Sequence, residues 1–384
     1  MTLTAGRPVV PAPRRGRRPT TRRLVGLTGL GVALAAAGTL LALSPDHEQP
    51  AGPEQPRTVA DVWPDAERTD LPGGLPDGAL YSPVYFLDAA TSLGTAPEAG
   101  GAGLRLVLRA ADGSVRELRR LPADGTPQFG GFVREGDEVA WAESVSDADG
   151  SASTRMWIAN VATGAPARLI TEDTGDMVLF NSQYDMVIAA GRLHWVSISP
   201  QSETATEVRS VPLSGGPVSV RTESGAWALS AWPWLVSAGS GQTGPVQLLD
   251  LRNEQVTTVE AAPTELATCG PTWCRVLVLA GDGPSRIDLM RPDGTDRRRV
   301  AGGAATASVI DVALLDRFEV LSQSGGDQSA PISSQQLLLY DLKEKRVVVV
   351  ADGVGIVQSR GGLLWWSTGD NETTAWHILD LRTV

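Results

Sequence analysis

Two short apolar runs on either side of a tight turn form a unit that recurs along this chain, its turns about 40–50 residues apart. The turns fall at Asp112-Gly113, Thr163-Gly164, Ser214-Gly215-Gly216, Arg252-Asn253, Asp293-Gly294 and Lys343-Glu344. A further copy opens at Trp376-His377-Ile378-Leu379-Asp380-Leu381, and the chain ends where its turn is due. A third run precedes each hairpin and often carries tryptophan. These runs are 81–86, 138–143 with Trp141, 192–197 with Trp195, 232–237, 273–279, 317–321, and 363–367 with Trp365 and Trp366. Residues 192–197 alternate apolar and polar, as a half-buried strand does. Residues 336–340 are almost continuously apolar, which suits a strand covered on both faces. A strand-built repeat of this length predicts an all-β fold, the β-propeller. Seven blades fit best. Six also fit, because residues 89–103 read as an insertion in the first unit.

Four strands per blade require one more strand after Leu381, and only Arg382, Thr383 and Val384 remain. The run Thr58-Val59-Ala60-Asp61-Val62-Trp63 is placed to supply it. The ring would then close through an N-terminal strand, leaving no exposed sheet edge at the junction. The propeller domain is therefore expected over 58–384.

Ahead of it, residues 24–43 (LVGLTGLGVALAAAGTLLAL) carry no charge. As a helix they span roughly 30 Å, the thickness of a bilayer's hydrocarbon core. Arginines cluster before them and acids follow, so the positive-inside tendency places a basic tail, 1–23, in the cytoplasm and the propeller outside. The expected location is the cell membrane, in a single pass. A cleaved signal peptide would carry a shorter apolar region, and the Thr21-Arg22-Arg23-Leu24-Val25 stretch weakly resembles a twin-arginine export signal. Either alternative also exports the body. Residues 44–57 (SPDHEQPAGPEQPR) read as an extended proline-rich linker.

Charge sharpens this division. The tail holds seven arginines (Arg7, Arg14, Arg15, Arg17, Arg18, Arg22 and Arg23) and no acid, so removing it from a net −11 leaves −18 for the rest. An acidic body of this kind does not present a nucleic-acid surface.

Candidate chemistry is sparse. Cys269 and Cys274, the two cysteines, flank Gly-Pro-Thr-Trp. Outside the cytoplasm they are expected to form a structural disulfide, since a redox pair has two intervening residues and a zinc site needs further ligands. His47 lies in the linker, while His194 and His377 sit within strand patterns, so no metal spacing arises. Asp147-Ala148-Asp149-Gly150-Ser151 resembles the start of a calcium loop but lacks its later bidentate acid. No Gly-x-Ser-x-Gly elbow occurs. The densest aromatic group, Trp227, Trp232 and Trp234 around Pro233, reads either as blade core or as a platform on which a sugar or peptide stacks.

The stretch 285–300, running through Asp293-Gly294-Thr295 into Arg297-Arg298-Arg299-Val300, resembles a repeat of the TolB-type, WD-like propellers. Arg109-Ala110-Ala111-Asp112-Gly113-Ser114-Val115-Arg116 is a second match. The resemblance implies a propeller working outside the cytoplasmic membrane, and the arginine-rich, lysine-poor usage resembles that of actinobacterial proteins. No catalytic, cofactor or metal signature stands out. The expected function is a membrane-anchored, non-catalytic binding or scaffolding module for a protein, peptide or glycan of the envelope. Two alternatives stand beside it: an envelope polysaccharide hydrolase or lyase, and a sensor signalling inward through the short tail.

Overall fold

The computed structural model describes residues 57–123, 126–146, 152–238, 243–281, 283–302, 305–324, 335–370 and 373–384. The expected tail, membrane span, most of the linker, and the Asp147–Ser151 turn lie outside them. Among the described residues no helix is long and apolar enough to cross a membrane.

Seven antiparallel sheets follow one another, each beginning at its innermost strand. Blade 1 comprises Ser82–Phe86, Ser92–Pro97, Gly103–Arg109 and Val115–Pro122. Blade 2 comprises Gln128–Glu135, Glu138–Ser146, Ala152–Asn160 and Arg168–Thr171. In blade 3 a split first strand, Asp176–Met177 and Met186–Ala189, precedes Arg192–Ser199, Ser202–Pro212 and Ser219–Ser224. Blade 4, the smallest, has Trp227–Leu229, Trp234–Ser237, Val246–Asp250 and Gln255–Val259. Blade 5 follows with Glu265–Cys269, Cys274–Ala280, Gly283–Met290 and Arg298–Gly302. Blade 6 has Thr306–Ala307, Phe318–Ser324, Gln335–Asp341 and Arg346–Ala351. Blade 7 has Val357–Arg360, Leu363–Thr368 and Ala375–Asp380, and its fourth strand is Arg68–Pro72 from the start of the domain.

The cores explain why these strands close into a ring. Seven hydrophobic clusters each lie between two neighbouring blades, including one between blades 7 and 1 that joins Trp365 and Trp376 to Phe86. Leu337 and Leu339 face blade 7, whereas Leu338 and Tyr340 face blade 5. This is why residues 336–340 are apolar without alternation: both sheet faces are core. Each such leucine contributes roughly 1.5–3 kcal/mol on burial.

A second device stitches the blades. Near the start of the fourth strand, Arg116, Arg221 and Arg298 each donate to the carbonyl just after the third strand of the next blade, at Val161 (2.6 Å), Leu251 (3.0 Å) and Leu342 (3.2 Å). Arg168 does the same to Leu213. The position of Arg116 and Arg298, paired with the penultimate residue of the third strand, is held in blade 4 by Val256 opposite Leu249. Among the described residues no such arginine joins blade 4 to blade 5.

Two expectations need correction. Residues 58–63 do not form the closing strand. Thr58 and Asp61 cap each other, Thr58 N donating to Asp61 Oδ2 at 2.9 Å, and Val59–Val62 turns once as helix. Val59 and Trp63 bury against blade 6, with Trp63 edge-on to Phe318. The chain then reaches Arg68–Pro72, which pairs with Ala375–Leu379. Closure is by an N-terminal strand, a few residues later than expected. Nor are residues 89–103 an insertion, since they hold the second strand of blade 1. Within that strand the Tyr81 ring occupies the space beside Gly94, where an added Cβ would lie 2.3 Å from it.

Candidate ligand site at the plugged channel

The first strand of blade 3 is interrupted. Met177 pairs with Ser197 and Met186 with Trp195, and residues 178–185 leave the sheet between them. Polar side chains shape this excursion locally. Asp185 Oδ1 accepts from Phe180 N at 2.9 Å, Ser182 Oγ accepts from Tyr184 N at 3.0 Å, and Asn181 takes the left-handed backbone (φ 62°) that asparagine tolerates. Phe180 and Tyr184 pack against the core between blades 3 and 4.

The far side of the excursion binds blades that are not neighbours of blade 3. Ser182 Oγ donates to Asp311 Oδ1 at 2.7 Å, and Gln183 N donates to Asp311 Oδ2 at 3.0 Å, both in blade 6. Gln183 Oε1 accepts from Gly361 N of blade 7 at 3.3 Å. Blades 6 and 7 lie opposite blade 3 in a ring of seven, and the excursion meets loops of both, Asp311 and Gly361, so that together they span the central channel. Residues 178–185 therefore plug the central channel. Arg360 adds a tie from blade 7 to blade 2, donating to Phe132 O at 3.2 Å.

Burial governs the charges in the plug. Asp185, 3% exposed, has its carboxyl pushed up to about 6 by loss of solvent, and Asp311 is raised for the same reason. The Tyr184 phenol is pushed up to about 12, first by burial and then by the negative charges of Asp311 and Asp316.

Blade 6 supplies the opposing wall. Ala313, Leu315 and Asp316, within the loop 310–316, take φ values of 48°, 55° and 56°. Non-glycine residues held there cost about 1–3 kcal/mol each and persist only when their surroundings over-determine them. Arg275 and Glu319 hold the loop at Asp311 and Ala313, and the turn at Leu315 and Asp316 is closed by Arg317 N donating to Leu314 O at 3.0 Å. Arg275 Nη2 donates to Asp311 O at 2.8 Å, and Arg275 pairs with the fully buried Glu319. Glu319 Oε2 in turn accepts from Ala313 N at 2.9 Å.

Between plug and loop lies a cavity of about 800 Å³. Phe180, Tyr184, Ser230, Thr272 and Leu315 are among the residues around it, and an arm runs past Val246, Thr258 and Ala267, where blade 4 meets blade 5 without an arginine stitch. Among the described residues the lining contains no lysine, arginine or histidine, and its acids are Asp311 and Asp316. Both oxygens of Asp311 are hydrogen-bonded. Asp316 is exposed and forms no hydrogen bond or ion pair among the described residues.

The residues singled out in the sequence are distributed otherwise. Cys269 and Cys274 form a disulfide across the turn between the first two strands of blade 5, and Cys269 borders the cavity. Trp227 is buried between blades 3 and 4, donating to Ser224 O at 2.8 Å. Trp232 stacks on His194, ring centroids 3.8 Å apart, in a separate groove of about 490 Å³ between those blades. Trp234 packs toward blade 5. The structure does not gather the three rings on one face, and none borders the main cavity. Burial lowers the pKa of His194. His377 lies between Asp70 Oδ1 and Thr368 Oγ1, each 2.7 Å away, and clasps the closing strand to blade 7. Among the described residues no three His, Cys, Asp or Glu side chains gather as a metal site needs.

Sequence reasoning missed residues 178–185 and 310–316. One usable signal was present: Asn181, Ser182 and Asp185 are turn-forming residues placed where an uninterrupted inner strand was due.

No family model matches this sequence, and no curated protein matches it. Solved structures do resemble the fold. The β-propeller domain of the Trilobed protease from Pyrococcus furiosus is 12% identical, with a TM-score of 0.43, covering 66% of this chain and 81% of that one. An oligogalacturonate lyase in complex with manganese is 15% identical, with a TM-score of 0.46, covering 80% of this chain and 81% of that one. A prolyl endopeptidase structure is 13% identical, with a TM-score of 0.48, covering 91% of this chain but 52% of that one. The likeness extends to the propeller fold alone.

Proposed function

We propose that this protein is an extracytoplasmic binding module, held at the membrane by residues 24–43, whose propeller receives a segment of a partner protein or peptide in the cavity above its plug. This keeps the setting that the TolB-like repeats imply. The observation that carries the reading is the tie of residues 178–185 to loops of blades 6 and 7 on the opposite side of the ring, which makes the cavity a cup with a fixed floor and a braced wall. Preformed concave sites of this size are where proteins take ligands. The state of the cavity acids favours binding over glycoside hydrolysis. That chemistry needs two carboxyl groups free to act on one bond, whereas of the two lining acids Asp311 has both oxygens hydrogen-bonded, which leaves Asp316 alone.

The test is site-specific photocrosslinking in intact cells, with the crosslinker at Leu315 in the cavity or at Leu169 on the outer strand of blade 2. A discrete peptide or protein adduct is expected from Leu315, not from Leu169, and it should disappear when Thr268→Trp fills the cavity. Equal labelling at both positions, or an adduct unchanged by Thr268→Trp, would exclude the cup as the binding site.

A further inference from the structure

We infer that the cavity selects a cationic segment, receiving a lysine ammonium between the Asp316 carboxylate and the Tyr184 ring. The inference rests on the binding reading above and specifies its ligand. Three independent observations support it. First, no lysine, arginine or histidine is among the described residues that line the cavity, and the arginines behind it, Arg275 and Arg360, face the acids Glu319, Asp311 and Asp185. Second, Asp316 is the lining carboxylate without a partner among the described residues, in contrast to Asp311. A cation seated against this exposed carboxylate gains a charge-assisted hydrogen bond while both groups keep part of their hydration. Third, Asp316 is positioned by construction. With Leu315 it takes left-handed backbone (φ 55° and 56°) in a tight turn closed by Arg317 N, which donates to Leu314 O at 3.0 Å.

Tyr184 adds the second contact. Tyr184 and Asp316 line the same cavity. An aromatic side chain and a carboxylate together favour an ammonium group. The rest of the chain outside the basic tail carries −18, so its long-range field also favours approach of a cation. A peptide fits better than an acidic glycan. Ser230, Thr268, Thr272 and the backbone at Gly270 and Gly361 offer neutral hydrogen-bonding groups around the cup, but no guanidinium or ammonium to meet a uronate or phosphate.

The experiment uses the full chain purified in detergent and two capped pentapeptides, Ac-Ala-Ala-Lys-Ala-Ala-amide and the same peptide with norleucine in place of lysine. Affinities are measured by titration calorimetry at low salt, with a third peptide carrying acetyl-lysine. The lysine peptide should bind about three- to tenfold more tightly than the other two. Asp316→Asn should erase that preference while leaving norleucine-peptide affinity unchanged, and added salt should narrow it. Equal affinity for all three peptides, still blocked by Thr268→Trp, overturns the ammonium site and leaves the cup standing. Binding of none of them, or binding that ignores Thr268→Trp, overturns both.

Discussion

At the scale of single residues, the plug contains buried acids whose ionisation has a definite cost. Asp185 has a folded pKa of about 6 against an ordinary 3.8, raised by burial. Between these values the folded state binds more protons than the unfolded state, so stability falls as pH rises from about 4 to about 6, and above that the full penalty remains. Two pH units correspond to about 3 kcal/mol at this buried position. Asp185→Asn retains an acceptor for Phe180 N. It should raise stability at pH 7 by a large part of that amount and flatten the profile between pH 4 and 6, as read by urea unfolding across pH. Little of this was legible in the sequence. An aspartate in a run of Asn, Ser, Gln and Tyr carries no mark of being buried, because its burial comes from blades 6 and 7, more than a hundred residues away in the chain.

At the scale of elements, the ring depends on its closing strand. Leu71 is buried with Phe86, Trp365 and Trp376 at the junction of blades 7 and 1. Leu71→Ala should cost about 2–5 kcal/mol, and chemical unfolding will give the value. The effect belongs to the junction, because without it blade 7 presents an open edge. The helical turn Val59–Val62 is instructive here. Its two valines are β-formers, and a strand was the natural expectation. The capping pair Thr58 and Asp61 was readable three residues apart, and it prevailed because Val59 and Trp63 find a core against blade 6. Conversely, Ser92–Pro97 looked like a loop because most of its residues are small, and at Gly94 that leaves room for Tyr81. Both errors arise where a neighbouring element, rather than local propensity, decides the backbone.

At the scale of the molecule, the ties across the axis make the plug part of the ring. Ser182→Ala removes one of the two donors to Asp311 and leaves a buried carboxylate short of a partner. The expected cost is about 1–3 kcal/mol, together with faster hydrogen exchange at the Gln183 and Gly361 amides. Blade-interface amides such as Leu338 should exchange as before. Exchange that rises everywhere equally would mean the plug is not a distinct unit.

The repeat of strands, the blade count and the joining of first and last sheets follow from the order of apolar residues, since each blade repeats a local pattern whose period of two fixes which side chains face each neighbour. Leu337 to Tyr340 declare their two-sided burial in the chain itself. The cup does not. Its floor is an excursion from blade 3, its wall a loop of blade 6 and its brace an arginine of blade 5, and these meet only because a closed ring returns distant segments to one axis. Ring closure is encoded locally and repeatedly, while the site is a single event of tertiary geometry, so the pattern along the chain determined the first and the folded ring alone decided the second.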